Sequence, residues 1–219
     1  MKLLLLSTSL SLMALAAAAQ TLTSPDGHLA VSVSCPDGVP TYCVTLDADT
    51  VLLPAPLGLN TTIGDFTQGL TLQGASDVKA VSESYLLPNA KKSQIAYTAN
   101  EQTFTFFCKA KVRDGRTREE KTIERKAIDI QFHVQDNDIA FRYVIYPQGD
   151  RLACLVNAEA TAYTLPQGTT TYLCPQMTPQ TGFARTAPSY ETYYDFGAEM
   201  GPNGHGRGFT FPALFKESK

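Results

Sequence analysis

The sequence contains no tryptophan and only three histidines in 219 residues. After its first nineteen residues it has no apolar run approaching the roughly 18 residues that a membrane-spanning helix needs. Charge of one sign is also missing. Lys+Arg 18 against Asp+Glu 21 gives a net charge of −3, so no global basic field exists to hold nucleic acid. No Cys-x-x-Cys pair or Cys/His cluster supports a zinc site. A Gly-x-Ser-x-Gly turn, a Gly-x-x-x-x-Gly-Lys loop and a His-Glu-x-x-His helix are absent too. Those absences remove the serine hydrolases of that type, the P-loop enzymes and the zinc proteases that such motifs mark. Nowhere beyond the start is there a capped, 3.6-residue amphipathic pattern of useful length, which disfavours a parallel α/β architecture.

What remains is a chain 43% apolar and 18% charged, enough to bury a sizeable core and unlike a disordered or coiled-coil composition. No Pro/Gly/Ser linker interrupts the middle, which favours one large domain. The first nineteen residues read separately. Met1-Lys2 is a short positive start, Leu3 to Ala16 an apolar run, and Ala17-Ala18-Ala19 a small-residue site before Gln20. That pattern predicts a secretory signal cleaved after Ala19. Residues 20–219 are therefore expected to be exported, to the periplasm or the medium, with no membrane span after cleavage.

Five cysteines, Cys35, Cys43, Cys108, Cys154 and Cys174, enter a compartment that permits disulfides, and an odd count leaves at least one over. Cys35 shares parity with Leu29, Val31 and Val33, whereas Cys43 is out of phase with Tyr42, Val44 and Leu46. The alternation argues against pairing these two and for cysteines acting as small buried hydrophobes within strands.

Period two dominates the chain. Alternating runs at Leu29–Cys35, Tyr42–Leu46, Phe104–Cys108, Ile128–Val134, Ile139–Tyr146 and Tyr163–Leu165 are separated by Asp-Gly, Pro-x and Asn-rich turns. Stacked, mostly antiparallel sheets follow, hence an all-β sandwich. From Lys109 to Lys126, eight basic and four acidic residues are interleaved around Asp114-Gly115. This reads as a solvated hairpin whose mixed charges protect an edge from pairing.

His28, His133 and His205 lie in unlike contexts and read as surface or packed histidines. The most suggestive stretch is Ser189 to Glu199. Tyr190, Tyr193 and Tyr194 offer flat faces and hydroxyls suited to sugar rings, and Glu191, Asp195 and Glu199 offer the hard oxygens that calcium prefers. Carboxylates arranged for glycoside hydrolysis would need a separation that only the fold can set.

Several pieces carry a resemblance when taken in order. They are Ser24-Pro25-Asp26-Gly27-His28-Leu29, Val31-Ser32-Val33, Pro40-Thr41-Tyr42, Pro56-Leu57-Gly58-Leu59, Asp136-Asn137-Asp138-Ile139-Ala140-Phe141-Arg142-Tyr143, Tyr190-Glu191 and Phe211-Pro212-Ala213-Leu214-Phe215. From Ser24 to Phe215 the chain resembles the N-terminal domain of glycoside hydrolase family 97, a family of retaining and inverting α-glycosidases. The resemblance implies a β-super-sandwich of the galactose mutarotase-like kind. It also implies a partner (β/α)8 barrel that carries the catalytic groups and a calcium ion to which this domain lends one glutamate, matched here by Glu191. The chain ends at Lys219, and a barrel needs roughly 250 residues of its own. No catalytic residue is therefore expected within this sequence, and calcium only in a site shared with a barrel.

Two functions follow. The first is a carbohydrate-binding accessory module, not an enzyme by itself, that holds an α-glucan or α-galactoside, or a barrel, through Tyr190, Tyr193 and Tyr194. The alternative is a truncated fragment of a calcium-dependent α-glucosidase or α-galactosidase. A mutarotase-like epimerase would need a histidine–carboxylate pair, and three scattered histidines suggest none.

Overall fold

The computed structural model describes residues 19–113, 115–147, 153–175, 194–199 and 208–217. The first eighteen residues, Tyr190, Glu191, Tyr193 and His205 lie outside the described residues.

The chain opens with an antiparallel meander of β1 (Gln20–Thr23), β2 (Leu29–Ser34), β3 (Thr41–Leu46) and β4 (Asp49–Pro56). Two short strands follow, β5 (Leu59–Thr61) and β6 (Gly64–Asp65). A second large sheet is built from β7 (Leu70–Ala75), β8 (Lys79–Leu86), β9 (Gln94–Arg113), β10 (Glu120–Val134) and β11 (Ile139–Ile145). Its order is β11-β10-β9-β7, with β8 also paired to β9. β12 (Val156–Glu159) adds to β5, and β13 (Thr170–Pro175) is central to a last three-stranded sheet between β14 (Asp195–Glu199) and β15 (Phe209–Lys216). All the named strand pairs are antiparallel. The all-β super-sandwich expected from the sequence is the fold found.

Alternation explains the core. In β2, Leu29, Val31 and Val33 face inward, and in β3 Tyr42 and Val44 do so. From the second sheet Phe104, Phe106, Ile128, Ile130, Phe132 and Val134 join the same buried cluster. The Tyr42 ring lies 6.0 Å from Phe132 and 6.2 Å from Phe141, joining the meander to the second sheet, and Phe104 meets Phe132 edge-on at 5.8 Å. Such tilted and T-shaped contacts stabilise by about 0.5–1.5 kcal/mol beyond area burial. Burial drives the phenol pKa of Tyr42 upward, and its hydroxyl donates to the Ala162 carbonyl at 3.0 Å.

The pieces that carried the family resemblance are largely pins of this sandwich. The Ser24 hydroxyl donates to Asp26 Oδ1 at 2.5 Å and accepts the Leu29 N–H at 3.0 Å, while the Asp26 N–H donates to Asp136 Oδ1 at 3.1 Å. Ser24–Leu29 is thus held to the Asp136–Asp138 turn. Gly58 has φ +138, and a Cβ there would meet the Phe66 carbonyl oxygen at 2.5 Å. Its N–H donates to the Tyr143 hydroxyl at 2.9 Å, so only glycine suits both the backbone angle and the close approach.

All five cysteines are thiols, with Cys35 and Cys174 buried and the other three half-buried. Burial raises the Cys35 thiol pKa, and the thiol faces the Leu70 carbonyl at 3.4 Å. The charged hairpin is present, with Lys109 opposite Glu124 and Arg113 opposite Glu120 on exposed strand ends. One expected strand differs. At Tyr163–Leu165 the structure has a single bridge, Thr164 to Leu53, in a segment whose preceding Ala160 and Ala162 N–H groups donate singly to the Gly58 and Pro56 carbonyls.

Candidate functional site

Two surfaces outside the core concentrate chemistry. The first is the β13–β15 sheet, which leads out of the predicted Tyr190–Tyr194 stretch. Of the four expected site residues only Tyr194 is described, exposed beside the start of β14. Tyr190, Tyr193 and Glu191 lie outside the described residues. On the strands themselves Tyr172 is flanked in register by Phe196 and Leu214, with the Tyr172 and Phe196 rings edge-on at 6.0 Å. Phe196 is 79% exposed, Phe211 81% and Leu214 63%. Single exposed apolar residues are ordinary, but several on one small sheet mark a surface that acts by being covered. The segment Phe211-Pro212-Ala213-Leu214-Phe215 was singled out in the sequence by resemblance; the exposure of Phe211 and Leu214 was not legible there.

The second surface is the outer face of β8, β9, β10 and β11, the side opposite the Phe104 and Phe132 core. Register sets Glu101 opposite His133, His133 opposite Ala140, Gln131 opposite Arg142 and Glu83 opposite Tyr97. Because strand side chains alternate, all of these point away from the core together. Glu83, Glu101, Gln131, His133, Ala140 and Arg142 line a cleft of about 320 Å³. The Tyr97 hydroxyl donates to Glu83 Oε2 at 2.9 Å, which raises the Tyr97 pKa, and Arg142 Nε donates to Gln131 Oε1 at 2.5 Å. His133 Nδ1 lies 3.8 Å from Glu101 Oε2 and packs edge-on against the Tyr97 ring at 5.6 Å. The structure therefore assembles a histidine–carboxylate pair that the separated positions in the sequence did not suggest. A period-two reading placed His133 on the outer face of its strand, but its partner on β9 is fixed only by cross-strand register.

His28 is elsewhere, at the end of the meander, where its Nδ1 contacts the Asp47 carboxylate. That contact and the charge of Asp47 raise the His28 pKa. Among the described residues no group of three or more His, Cys, Asp or Glu side chains is placed to hold a metal ion. No helix of the described residues is long and apolar enough to cross a membrane.

Residues 22–219 match the family model described as Glycosyl-hydrolase 97 N-terminal. A probable retaining alpha-galactosidase of Streptomyces bingchenggensis is 32% identical over 136 residues, covering 62% of this chain and 18% of that protein. The crystal structure of a beta-arabinopyranosidase is 36% identical with a TM-score of 0.76, covering 90% of this chain and 29% of that one. A glycoside hydrolase family 97 enzyme from Pseudoalteromonas sp. strain K8, in complex with acarbose, shares the fold at 18% identity and a TM-score of 0.68, covering 91% of this chain and 27% of that one. The chain thus spans less than a third of the length of each of these relatives.

Proposed function

The chain belongs to the Glycosyl-hydrolase 97 N-terminal family, and we propose from this membership that it is the accessory β-sandwich module of an exported family 97 glycoside hydrolase. In this reading the module works against a catalytic (β/α)8 barrel and supplies no catalytic group of its own. The observation that carries it is the row Phe196–Tyr172–Leu214 on the β13–β15 sheet, in which a half-buried Tyr172 is flanked by the exposed Phe196 and Leu214. A module that worked alone would leave that apolar surface in water at a cost of roughly 25 cal/mol per Å². Covered by a barrel, the row becomes an interface.

Tyr190, Tyr193 and Tyr194, which precede β14 in the sequence, would offer rings to an α-linked sugar held by the barrel. Glu191 would offer a carboxylate to a calcium ion shared with the barrel. Calcium takes six to eight oxygen ligands at flexible geometry, so one carboxylate from a neighbouring surface suits it. When bound, the ion would supply a fixed positive charge for orienting substrate oxygens.

A chimera tests this reading. The chain replaces the N-terminal segment of the beta-arabinopyranosidase relative, and glycosidase activity is measured with and without Leu214→Asp. The expected result is an active chimera whose kcat/KM falls at least about tenfold with Leu214→Asp, the order of about 1.4 kcal/mol lost at the interface. Its far-ultraviolet circular dichroism should be unchanged. Unchanged kcat/KM would overturn the docking face. Glu191→Gln should raise the calcium concentration needed for half-maximal activity, and an unchanged requirement would remove Glu191 from the metal.

A further inference from the structure

The outer face of β8–β11 holds converging polar groups that a barrel-docking role does not use. We infer that Glu83, Glu101, Gln131, His133 and Arg142 form a second binding site, taking the hydroxyl-rich face of a single neutral pyranose ring, on this chain alone and on a different sheet from the Phe196–Tyr172–Leu214 row. The inference shares only its ligand class, carbohydrate, with the function proposed above and does not need the barrel.

Size comes first. A cleft of about 320 Å³ lies at the small end of the range for sites that hold small molecules, about 300–1,000 Å³. The room exists because Ala140, opposite His133 in the register, leaves no bulk on the β11 side.

Preorganisation is the second point. The lining side chains come from four hydrogen-bonded strands rather than from loops. Two of them are already held by neighbours: Glu83 by the Tyr97 hydroxyl and Gln131 by Arg142. Fixing Glu83 through one oxygen leaves its other oxygen to accept from a ligand, and fixing Gln131 through its carbonyl turns its amide N–H groups outward as donors. Side chains ordered before binding lose less entropy on binding. The Tyr97 ring, braced edge-on between His133 at 5.6 Å and Tyr85 at 6.5 Å, backs the His133 imidazole from beside the cleft.

Charge selects the class. Glu83 and Glu101 repel phosphates and other anions, while Arg142 opposes a simple cation. A neutral molecule carrying several hydroxyls on one face, each both donor and acceptor, satisfies carboxylate, amide, imidazole and guanidinium together. Pyranose sugars have that chemistry.

The test is a titration of isotope-labelled full chain, followed by nuclear magnetic resonance, with D-galactose, L-arabinose and D-glucose, and with glucose 6-phosphate as an anionic counterpart. The expected result is that at least one neutral sugar shifts the backbone signals of Glu83, Glu101, Gln131 and Arg142. Glu83→Gln and Arg142→Ala should each weaken that binding about tenfold or more, the scale of losing a charge-assisted hydrogen bond. Leu214→Asp should leave it unchanged. Both cleft substitutions are at exposed positions, so the signals away from the cleft report that the fold is intact. Absence of shifts with all three neutral sugars would overturn the site, as would tighter binding of glucose 6-phosphate or shifts confined to β13–β15. A failed barrel chimera would leave this result standing.

Discussion

The β1–β4 meander packed on β7, β9, β10 and β11 and the small β13–β15 sheet are made of the same kinds of residue, yet they direct them oppositely. In the first region the large apolar side chains are sealed: Phe104, Phe106, Phe132, Val31 and Val33 are all 0% exposed. In the second, Phe196, Phe211 and Leu214 stand largely in solvent, and it is only along β13 that Thr171, Leu173 and Cys174 are buried. A sheet needs one covered face, and the meander finds its cover in the second large sheet. The lesson is that the two regions have different completeness: one is finished by its own chain, and the other exposes an apolar face that another surface can cover.

The contrast breaks most severely if the sealed region cannot tolerate loss of a ring. Phe132 sits at the meeting of Tyr42, Phe104 and Phe141, so Phe132→Ala should lower the unfolding free energy by about 3–5 kcal/mol, read from chemical denaturation. A drop below about 1 kcal/mol would mean the sandwich is not held together there. Next in size is Gly58→Ala. The positive φ and the 2.5 Å approach to the Phe66 carbonyl oxygen should make it destabilising by more than about 1 kcal/mol, whereas the same change at an unstrained position is slightly stabilising. Equal stability of variant and parent would show that the Pro56–Leu59 loop moves aside.

These two positions also show what the sequence could reveal. The inward phase of β2, β3 and the end of β10 was readable because one face is buried and the other solvated, which writes period two directly into the chain. The extent of β9 and β10 was not. Gln94–Arg113 runs far beyond the apolar Phe104–Cys108 because its two ends are ordered by pairing, with β8 at the start and with β10 at the end. β8, with exposed residues along nearly its whole length, left no alternation to read at all. Gly58 stood inside a quoted motif, yet its reason, the Phe66 backbone beneath it, belongs to the tertiary structure. For the sites the limit is sharper. His133 and Glu101 meet only because β9 and β10 pair in one register and not a neighbouring one. Glu191, in contrast, was nominated by resemblance and lies outside the described residues, so its role depends on the chimera.

On the exposed side the expected effect is small, and its smallness is the point. Phe211→Ser removes an 81% exposed ring and should change the stability of the chain by no more than about 0.5 kcal/mol, as surface changes do. In the barrel chimera, the same substitution should lower activity. A large loss of stability in the chain alone would show that β15 is already covered within its own fold, and the distinction between the two regions would collapse.

The smallest effect concerns charge at the meander's edge. Contact with Asp47 raises the His28 pKa, so the folded state favours the protonated ring. The resulting stabilisation is fully present below the unfolded histidine value of about 6.5 and is lost as pH rises through the higher folded value. Asp47→Asn should therefore lower the His28 pKa in a nuclear magnetic resonance titration and flatten the stability profile across that interval. Both groups are solvent-exposed, so raising the ionic strength should reduce the shift in the parent as well. An Asp47→Asn variant with the parent's His28 titration would place the cause elsewhere, on Asp26 or Asp136, whose charges also act on the ring. That outcome would make the Ser24–Leu29 pin an electrostatic link between the meander and the Asp136–Asp138 turn, in addition to its hydrogen bonds.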